Sequence, residues 1–463
     1  MKVIDSEKVD LSLGNEEFFR VYGHKKAVGM FTLGCRVNQY ETEAMAEKFI
    51  AEGYNIVGFD DCADVYVINT CTVTNMGDKK SRKMIHRARR KNGSAIIAVV
   101  GCYSQISPEK VSNIEGVDVV LGTRNKGDII YLIKRVCLEH RKIIEVNDVL
   151  KNRVFEELNI DKYQYRTRAF LKIQDGCNRF CSYCLIPFAR GAVCSKPPGK
   201  VVEEVKKLAQ NNFKEVTLSG IHIASYGMDM KDDWNLAGIL EEVDKIEGIE
   251  RVRIGSIDPK FFTEGIINRI KRLKKLCPHF HLSLQSGCDE TLRRMNRHYT
   301  VLEYEKIVKE LRDEIKDVSI TTDIIVGFPG ETEEEFSKTY DFLNRIEFSK
   351  IHVFKYSPRK GTRAASMRKQ IDGRIKEERS SKIIELDKKL EKQFMNKFLG
   401  KNMDVLYESQ FEKNNDYYEG YTPNYIKVIS RGKCGQNLEG KILNTELKSV
   451  KDGCVYGKIK SFI

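Results

Sequence analysis

The chain has 463 residues, 41% of them hydrophobic, and its 79 lysines and arginines outweigh 66 aspartates and glutamates to give a formal charge of +13. That length supports two or three domains with their own cores, and the cationic surplus points to a polyanionic partner, nucleic acid first, with a balance tuned only for solubility as the plainer alternative. No apolar run reaches the roughly 18–20 residues of a bilayer span, and the start MKVIDSEKVDLSLGNEE is too acidic and polar for a signal peptide, so no membrane partner and a cytoplasmic location are expected.

From Ala27 onward an apolar run, a cysteine and a helical stretch recur. AVGMFTLGC, VYVINTC and AIIAVVGC end at Cys35, Cys71 and Cys102. The spacing fits βαβ units, and in a parallel sheet the loops after neighbouring strands converge on one edge, so three cysteines far apart in sequence are expected to meet. Asn38 as a cap, with Glu41 three residues on, and the apolar pair Met45 and Phe49 predict a helix over 38–52. KKSRKMIHRARRK, residues 79–91, carries eight lysines and arginines and no acid, with Met84, Ile85 and Ala88 on one face. It reads as a solvated face or as an RNA-binding one through Lys79, Lys80, Arg82, Lys83, Arg87, Arg89 and Arg90.

Residues 141–165 are charged, lack an apolar period and read as a linker. Six strand candidates follow, each with a helical pattern behind it: AFLKI at 169, EVTLSG at 215, RVRIGS at 251, HFHLSLQSG at 279, SITTDIIVGF at 319 and KIHVFKY at 350. Six β/α units are fewer than the eight of a closed barrel, which predicts a partial barrel with its chemistry at the carboxyl ends of the strands. A charged helix, roughly 373–398, leads into MDVLYES, YYEGYTPNYIKVIS, LEGKIL and CVYGKIKSF, whose alternation between glycine and asparagine turns predicts a small antiparallel β-barrel. Its Tyr417, Tyr418, Tyr421 and Tyr425 read as half-buried strand residues or as base-stacking ones.

Thirteen cysteines in a large cytosolic chain argue for metal or redox chemistry rather than a disulfide framework. Just after the first barrel strand stands CNRFCSYC, whose Cys177, Cys181 and Cys184 have no fourth cysteine at ligand spacing. Three thiolates on a cubane iron–sulfur cluster leave one iron open to a substrate; a zinc knuckle with a distant fourth ligand is the alternative. Cys62, Cys137, Cys194, Cys277, Cys288, Cys434 and Cys454 show no ligand spacing and read as small buried or incidental residues.

CNRFCSYC, with Tyr183 before its last cysteine, resembles the signature loop of the radical S-adenosylmethionine enzymes. The resemblance implies that Cys177, Cys181 and Cys184 hold a [4Fe-4S] cluster whose open iron chelates S-adenosylmethionine. It further implies cofactor contacts from Tyr183, from Ser219 and Gly220 in LSG, from Ser256, from Gln285 and Ser286, and from Asp323 in DIIVGFPGE.

Together with TLGCRVNQYETE, NTCTVT and VVGCYSQ, the loop resembles the methylthiotransferases from end to end. That likeness implies a flavodoxin-like parallel α/β domain over 25–140, with Cys35, Cys71 and Cys102 holding an auxiliary [4Fe-4S] cluster. A linker over 141–165, a radical S-adenosylmethionine (β/α)6 core over 166–396 and a TRAM domain over 397–463 would follow. The branch on isopentenyladenosine in tRNA opens with a TYGCQMN-like motif, whereas TLGCRVNQYETEAM and LSLQSGCDETLRRMNRHYT are most similar to the branch that adds a methylthio group to carbon 2 of threonylcarbamoyladenosine beside the anticodon. S-adenosylmethionine would serve as methyl donor and radical source, with tRNA as substrate, a flavodoxin or ferredoxin as electron donor, and a sulfur source as a further partner. The isopentenyladenosine branch, the branch acting on an aspartate of a ribosomal protein and a non-catalytic zinc- and RNA-binding protein are the alternatives.

Overall fold

The computed structural model describes residues 8–460 apart from 73–74, 152–153, 159, 161–166, 412–415 and 434, so Cys434 and part of the 141–165 stretch lie outside the described residues. The amino-terminal unit is built on strands β1 (Ala27–Thr32), β2 (Asn55–Val57), β3 (Val65–Thr70), β4 (Ile96–Gly101), β5 (Val119–Leu121) and β6 (Ile143–Glu145). They form one parallel sheet in the order β2-β1-β3-β4-β5-β6. VYVINT and IIAVVG are buried at every position, as expected of parallel strands covered on both faces. The first five strands follow the flavodoxin-like order, and the three cysteine-bearing strands β1, β3 and β4 are neighbours.

Helix Arg36–Ala51 buries Met45 and Phe49 on one side of this sheet, and helix Asn75–Lys91 buries Met84, Ile85 and Ala88 on the other. Val9, Leu11 and Phe18 join the first of these cores, so packing begins ahead of residue 25. The 141–165 stretch also carries structure: β6 extends the sheet, while Leu158 and Ile160 enter the core of the next unit. A three-residue strand and two isolated apolar residues are too short to show a period in sequence.

The central unit has six parallel strands in two triplets. β7 (Arg168–Lys172), β10 (Glu215–Ser219) and β11 (Arg251–Ile254) pair as β11-β10-β7; β12 (His279–His281), β13 (Ser319–Val326) and β14 (Lys350–Lys355) pair as β12-β13-β14. Bridges Val252↔Leu276 and Ile257↔Leu282 join the triplets into a partial barrel. A two-residue ladder of β8 (Gln174–Asp175) with β9 (Cys194–Ser195) flanks the cysteine loop.

Strands β15 (Asn402–Gln410), β16 (Tyr417–Tyr421), β17 (Lys427–Arg431), β18 (Ile442–Lys451) and β19 (Cys454–Ile459) close a small barrel in the order β15-β16-β17-β19-β18. It is antiparallel except for β17 against β19, which run parallel and complete the closure. Helix Gly373–Asn396 serves two cores at once: Ile383, Leu386 and Leu390 pack in the central unit, and Met395 packs in the terminal barrel. Among the described residues no helix is long and apolar enough to cross a membrane.

Candidate functional site

Cys35, Cys71 and Cys102 stand immediately after β1, β3 and β4, on the carboxyl edge of three adjacent strands. Two glycines allow it. Gly34 (φ +105°) presses so close that a Cβ there would meet Cys71 Sγ at 3.1 Å, and at Gly101 (φ +94°) a Cβ would meet the Asn69 side chain at 2.5 Å. Both left-handed residues precede a cysteine and turn the chain abruptly at the sheet edge. Burial pushes the Cys35 thiol up, Arg190 pulls it down, and Cys102 beside it pushes it further up. Cys102 is buried, whereas Cys35 is exposed and opens to a cavity.

The second triad lies on the loop behind β8. Cys177 N–H donates to Gly191 O (3.0 Å) and Cys184 N–H to Cys181 O (3.0 Å). Each thiol accepts one hydrogen bond: Cys177 from Arg179 N–H (3.5 Å), Cys184 from Ile186 N–H (3.4 Å), and Cys181 from the Arg297 guanidinium (3.5 Å). The segment after β12 clamps this loop, because Ser182 N–H donates to Met295 O and Asn296 Nδ2 to Phe180 O, both at 3.0 Å. Burial pushes the Cys184 thiol up to about 12. Donors aimed at three thiols and a cation beside one of them suit a negatively charged thiolate centre. Among the described residues no three His, Cys, Asp or Glu side chains close around a single ion.

A cavity of about 770 Å³ runs through the partial barrel, bounded by Cys35 and Arg36 on one side and by Tyr421 and Tyr425 of the terminal barrel on another. Ser219, Gly220, Ser256 and Asp323 line it together with Cys35, as do His279, His281 and His352, which were not singled out in the sequence. The HFH of β12 alternates, so both of its histidines turn inward. His281 lies 3.1 Å from Asp323 and shares a hydrogen bond with Thr321 Oγ1 (2.9 Å). Three expected cofactor contacts lie outside this lining. Tyr183 packs edge-on against Phe328, Ser286 Oγ accepts from Cys288 N–H, and Gln285 adopts φ +72° with its N–H bound to Asp323 O.

Asn38 and Glu41 do not cap a helix. The helix starts at Arg36 with Cys35 in the capping position, and both polar residues turn inward. Arg190, at the end of the short helix behind CNRFCSYC, donates to Glu41 (2.5 Å), Asn38 Oδ1 (2.5 Å) and Asp175 (3.2 Å). Lys172 reaches Glu41 (2.9 Å) and Asp175 (2.6 Å), Lys126 reaches Glu41 (3.2 Å), and Arg124 lies 3.7 Å from Asp175. Every one of these charged side chains is buried. Burial opposes ionisation of Glu41, but Arg190, Lys126 and Lys172 outweigh it and hold its carboxyl well below the usual range. Glu156 adds a third carboxylate beside Lys126 and Lys172, so four cations still exceed the acids, and Arg190 faces both Cys35 and Cys102 electrostatically. Arg359 adds a second link between units, to Thr72 (2.6 Å) and Asp78 (2.8 Å), beside Cys71.

On helix Asn75–Lys91, Lys79, Lys80, Arg82, Lys83 and Arg90 are exposed. Arg87 instead pairs with Asp60, and Arg89 lies against Gly116.

Residues 171–343 match the family described as the Radical SAM superfamily, and residues 27–122 match the uncharacterized protein family UPF0004. The chain is 42% identical over 434 residues to the threonylcarbamoyladenosine tRNA methylthiotransferase MtaB of Bacillus subtilis, covering 93% of this chain and 95% of that one. It is 42% identical to the protein of the same name from Aquifex aeolicus, covering 88% and 97%. It is 34% identical to the tRNA-2-methylthio-N(6)-dimethylallyladenosine synthase of Caldicellulosiruptor saccharolyticus, covering 96% and 95%. Among solved structures the radical S-adenosylmethionine methyltransferase TsrM from Kitasatospora setae superposes with a TM-score of 0.55 at 13% identity, over 74% of this chain and 77% of that one, a likeness of fold.

Proposed function

Because the chain belongs to the radical S-adenosylmethionine methylthiotransferase family, we propose that it adds a methylthio group to carbon 2 of threonylcarbamoyladenosine in tRNA, acting in the cytoplasm. The observation that carries this reading is the presence of two three-cysteine sets, one on the sheet edge of the amino-terminal unit with Cys35 opening to the cavity, the other on the loop behind β8. A single set serves a radical enzyme, and the second supplies what sulfur insertion needs. Cys177, Cys181 and Cys184 are assigned to the [4Fe-4S] cluster that binds S-adenosylmethionine, and Cys35, Cys71 and Cys102 to an auxiliary [4Fe-4S] cluster. When bound, these groups supply the electron that cleaves the sulfonium and the sulfur destined for the base.

The chain's own residues bind, orient and exclude water. Arg297 and the backbone donors of the loop stabilise thiolate charge at one set, and Arg190 does so at the other. Ser219, Gly220, Ser256 and Asp323 stand at strand ends of the cavity that Cys35 also lines, and would hold the cofactor there. The target base must leave its stack to reach this depth, at a cost of a few kcal/mol that loop and phosphate contacts offset. Exposed cations of helix Asn75–Lys91 are assigned to those phosphate contacts, with a flavodoxin or ferredoxin as electron donor and an external sulfur source as further partners.

The test is nucleoside analysis by mass spectrometry of tRNA from a deletion strain complemented with Cys177→Ala or Cys71→Ala, beside iron analysis of the reconstituted wild type. The expected result is loss of the methylthio group with threonylcarbamoyladenosine retained in both variants, and about eight iron atoms per wild-type chain. Methylthiolated nucleoside from the Cys71 variant, or about four iron atoms with all six cysteines intact, overturns the assignment.

A further inference from the structure

One cation lining the cavity has no ion-pair partner among the described residues. Of the lysines and arginines that line it, Lys350 is paired with Asp387 (2.9 Å) and Glu391 (2.7 Å), and Lys427 with Glu419 (2.7 Å). Behind the wall, Arg168 holds Glu408 (2.6 Å) and Arg253 holds Glu215 (2.7 Å). Arg36 has no carboxylate partner among the described residues. Its guanidinium lies over the Phe170 ring (5.5 Å) and donates one long hydrogen bond, to the Tyr425 hydroxyl (3.4 Å). Burial acts against its charge, while its neighbours act both ways: Tyr425 and, more weakly, Glu215 favour the charge, and Arg168 and Arg253 oppose it. A half-buried guanidinium with most of its donors unspent, in a cavity large enough for a nucleoside, is an open anion site.

We infer that Arg36 binds the threonyl carboxylate of the target nucleoside and is the residue by which the cavity selects that substrate. This rests on the function proposed above and deepens it. Arg36 is bonded directly to Cys35, the thiol assigned to the auxiliary cluster that opens to the cavity. In adenine, carbon 2 and the amino-bearing carbon 6 flank the same ring nitrogen. A base that presents carbon 2 at Cys35 therefore keeps its N6 substituent within reach of the next side chain. That substituent ends in a carboxylate in threonylcarbamoyladenosine and in a hydrocarbon in isopentenyladenosine. The same position is a neutral glutamine in the TYGCQMN-like opening and arginine in TLGCRVN here. A planar fork that can grip a carboxylate with two parallel bonds rejects the hydrocarbon, which would leave the cation buried and unpaired.

The experiment is equilibrium binding of the full chain, by fluorescence anisotropy, to three anticodon stem-loop RNAs carrying threonylcarbamoyladenosine, its threonyl methyl ester or unmodified adenosine. Wild type should bind the acid at least about tenfold more tightly than the ester, the scale of one charge-assisted contact. Arg36→Gln should bind acid and ester alike, at the wild-type affinity for the ester, and Arg36→Lys should recover part of the preference. Wild-type affinities for acid and ester within twofold of each other overturn the inference, as does an Arg36→Gln variant that keeps the gap. If Arg36→Gln does not fold, as judged by iron content and unfolding midpoint, the wild-type comparison decides alone. The proposed function fails separately, through a wild type that neither converts the threonylcarbamoyladenosine stem-loop nor binds it better than unmodified adenosine.

Discussion

Glu41→Gln probes the joint between the amino-terminal unit and the partial barrel. Glu41 belongs to helix Arg36–Ala51, while two of its three cationic partners, Arg190 at 2.5 Å and Lys172 at 2.9 Å, come from the barrel unit, and the third is Lys126 at 3.2 Å. Removing one member of a buried ionic network costs about 3–5 kcal/mol, because the remaining charges stay desolvated. The lower end applies here. Burial already pushes the Lys126 ammonium down against the pull of Glu41 and Glu156, and Glu156 remains beside it in the variant, which limits the damage. A loss of about 3 kcal/mol at roughly 2–4 °C per kcal/mol lowers the melting temperature by about 6–12 °C. Scanning fluorimetry of the metal-free chain measures it, and the double variant with Lys126→Met should regain part of the loss by deleting the stranded cation. A midpoint within about 2 °C of wild type would refute the view that this network holds the two units together.

Two further outcomes are expected. Burial opposes ionisation of Asp258, but His222, Arg297 and Arg179 pull its carboxyl from 3.8 to about 2. A lowered folded-state value contributes stability above the unfolded pKa that is lost as pH falls through the folded one. Asp258→Asn should therefore cost about 2 kcal/mol by urea denaturation from pH 7 down to about pH 5, with the penalty shrinking below about pH 4; a penalty that grew on acidification would contradict this. On helix Asn75–Lys91, Lys79→Glu, Lys80→Glu and Lys83→Glu should each weaken tRNA binding and flatten its salt dependence by up to about 0.9 for every phosphate the helix no longer neutralises. Arg87→Ala should leave the salt slope unchanged because Asp60 already holds that guanidinium; the reverse ranking would place the RNA elsewhere.

The architecture was legible where local patterns repeat. Apolar runs ending in cysteine located three adjacent strands, and the six β/α units and the terminal barrel stand where alternation and turn residues put them. Asn38 and Glu41 were misread because a polar residue followed three positions later by glutamate looks the same whether it caps a helix or turns inward. What decides is Arg190, 152 and 149 positions away. Arg297 was equally hidden: it lies 116 residues from the Cys181 thiol it touches, within a segment legible only as branch resemblance. Arg36 stood in the sequence only as one letter of TLGCRVN, and its isolation shows only once the pairing of its neighbours is known.

The terminal barrel meets the central one through Arg251 and Arg253 of β11. Arg251 donates to the carbonyls of Tyr421 (3.0 Å) and Asp404 (2.7 Å), and Arg253 to those of Thr422 (2.8 Å) and Pro423 (2.7 Å), while Glu215 holds Arg253 from behind. Every acceptor on the terminal side is main chain. These four bonds are therefore blind to the side chains at 404 and 421–423, whereas Arg168 on Glu408 and Arg36 on the Tyr425 hydroxyl read side chains of the same barrel. Away from those two positions the outer face of the small barrel is free to drift in sequence without loosening its grip on the cavity floor.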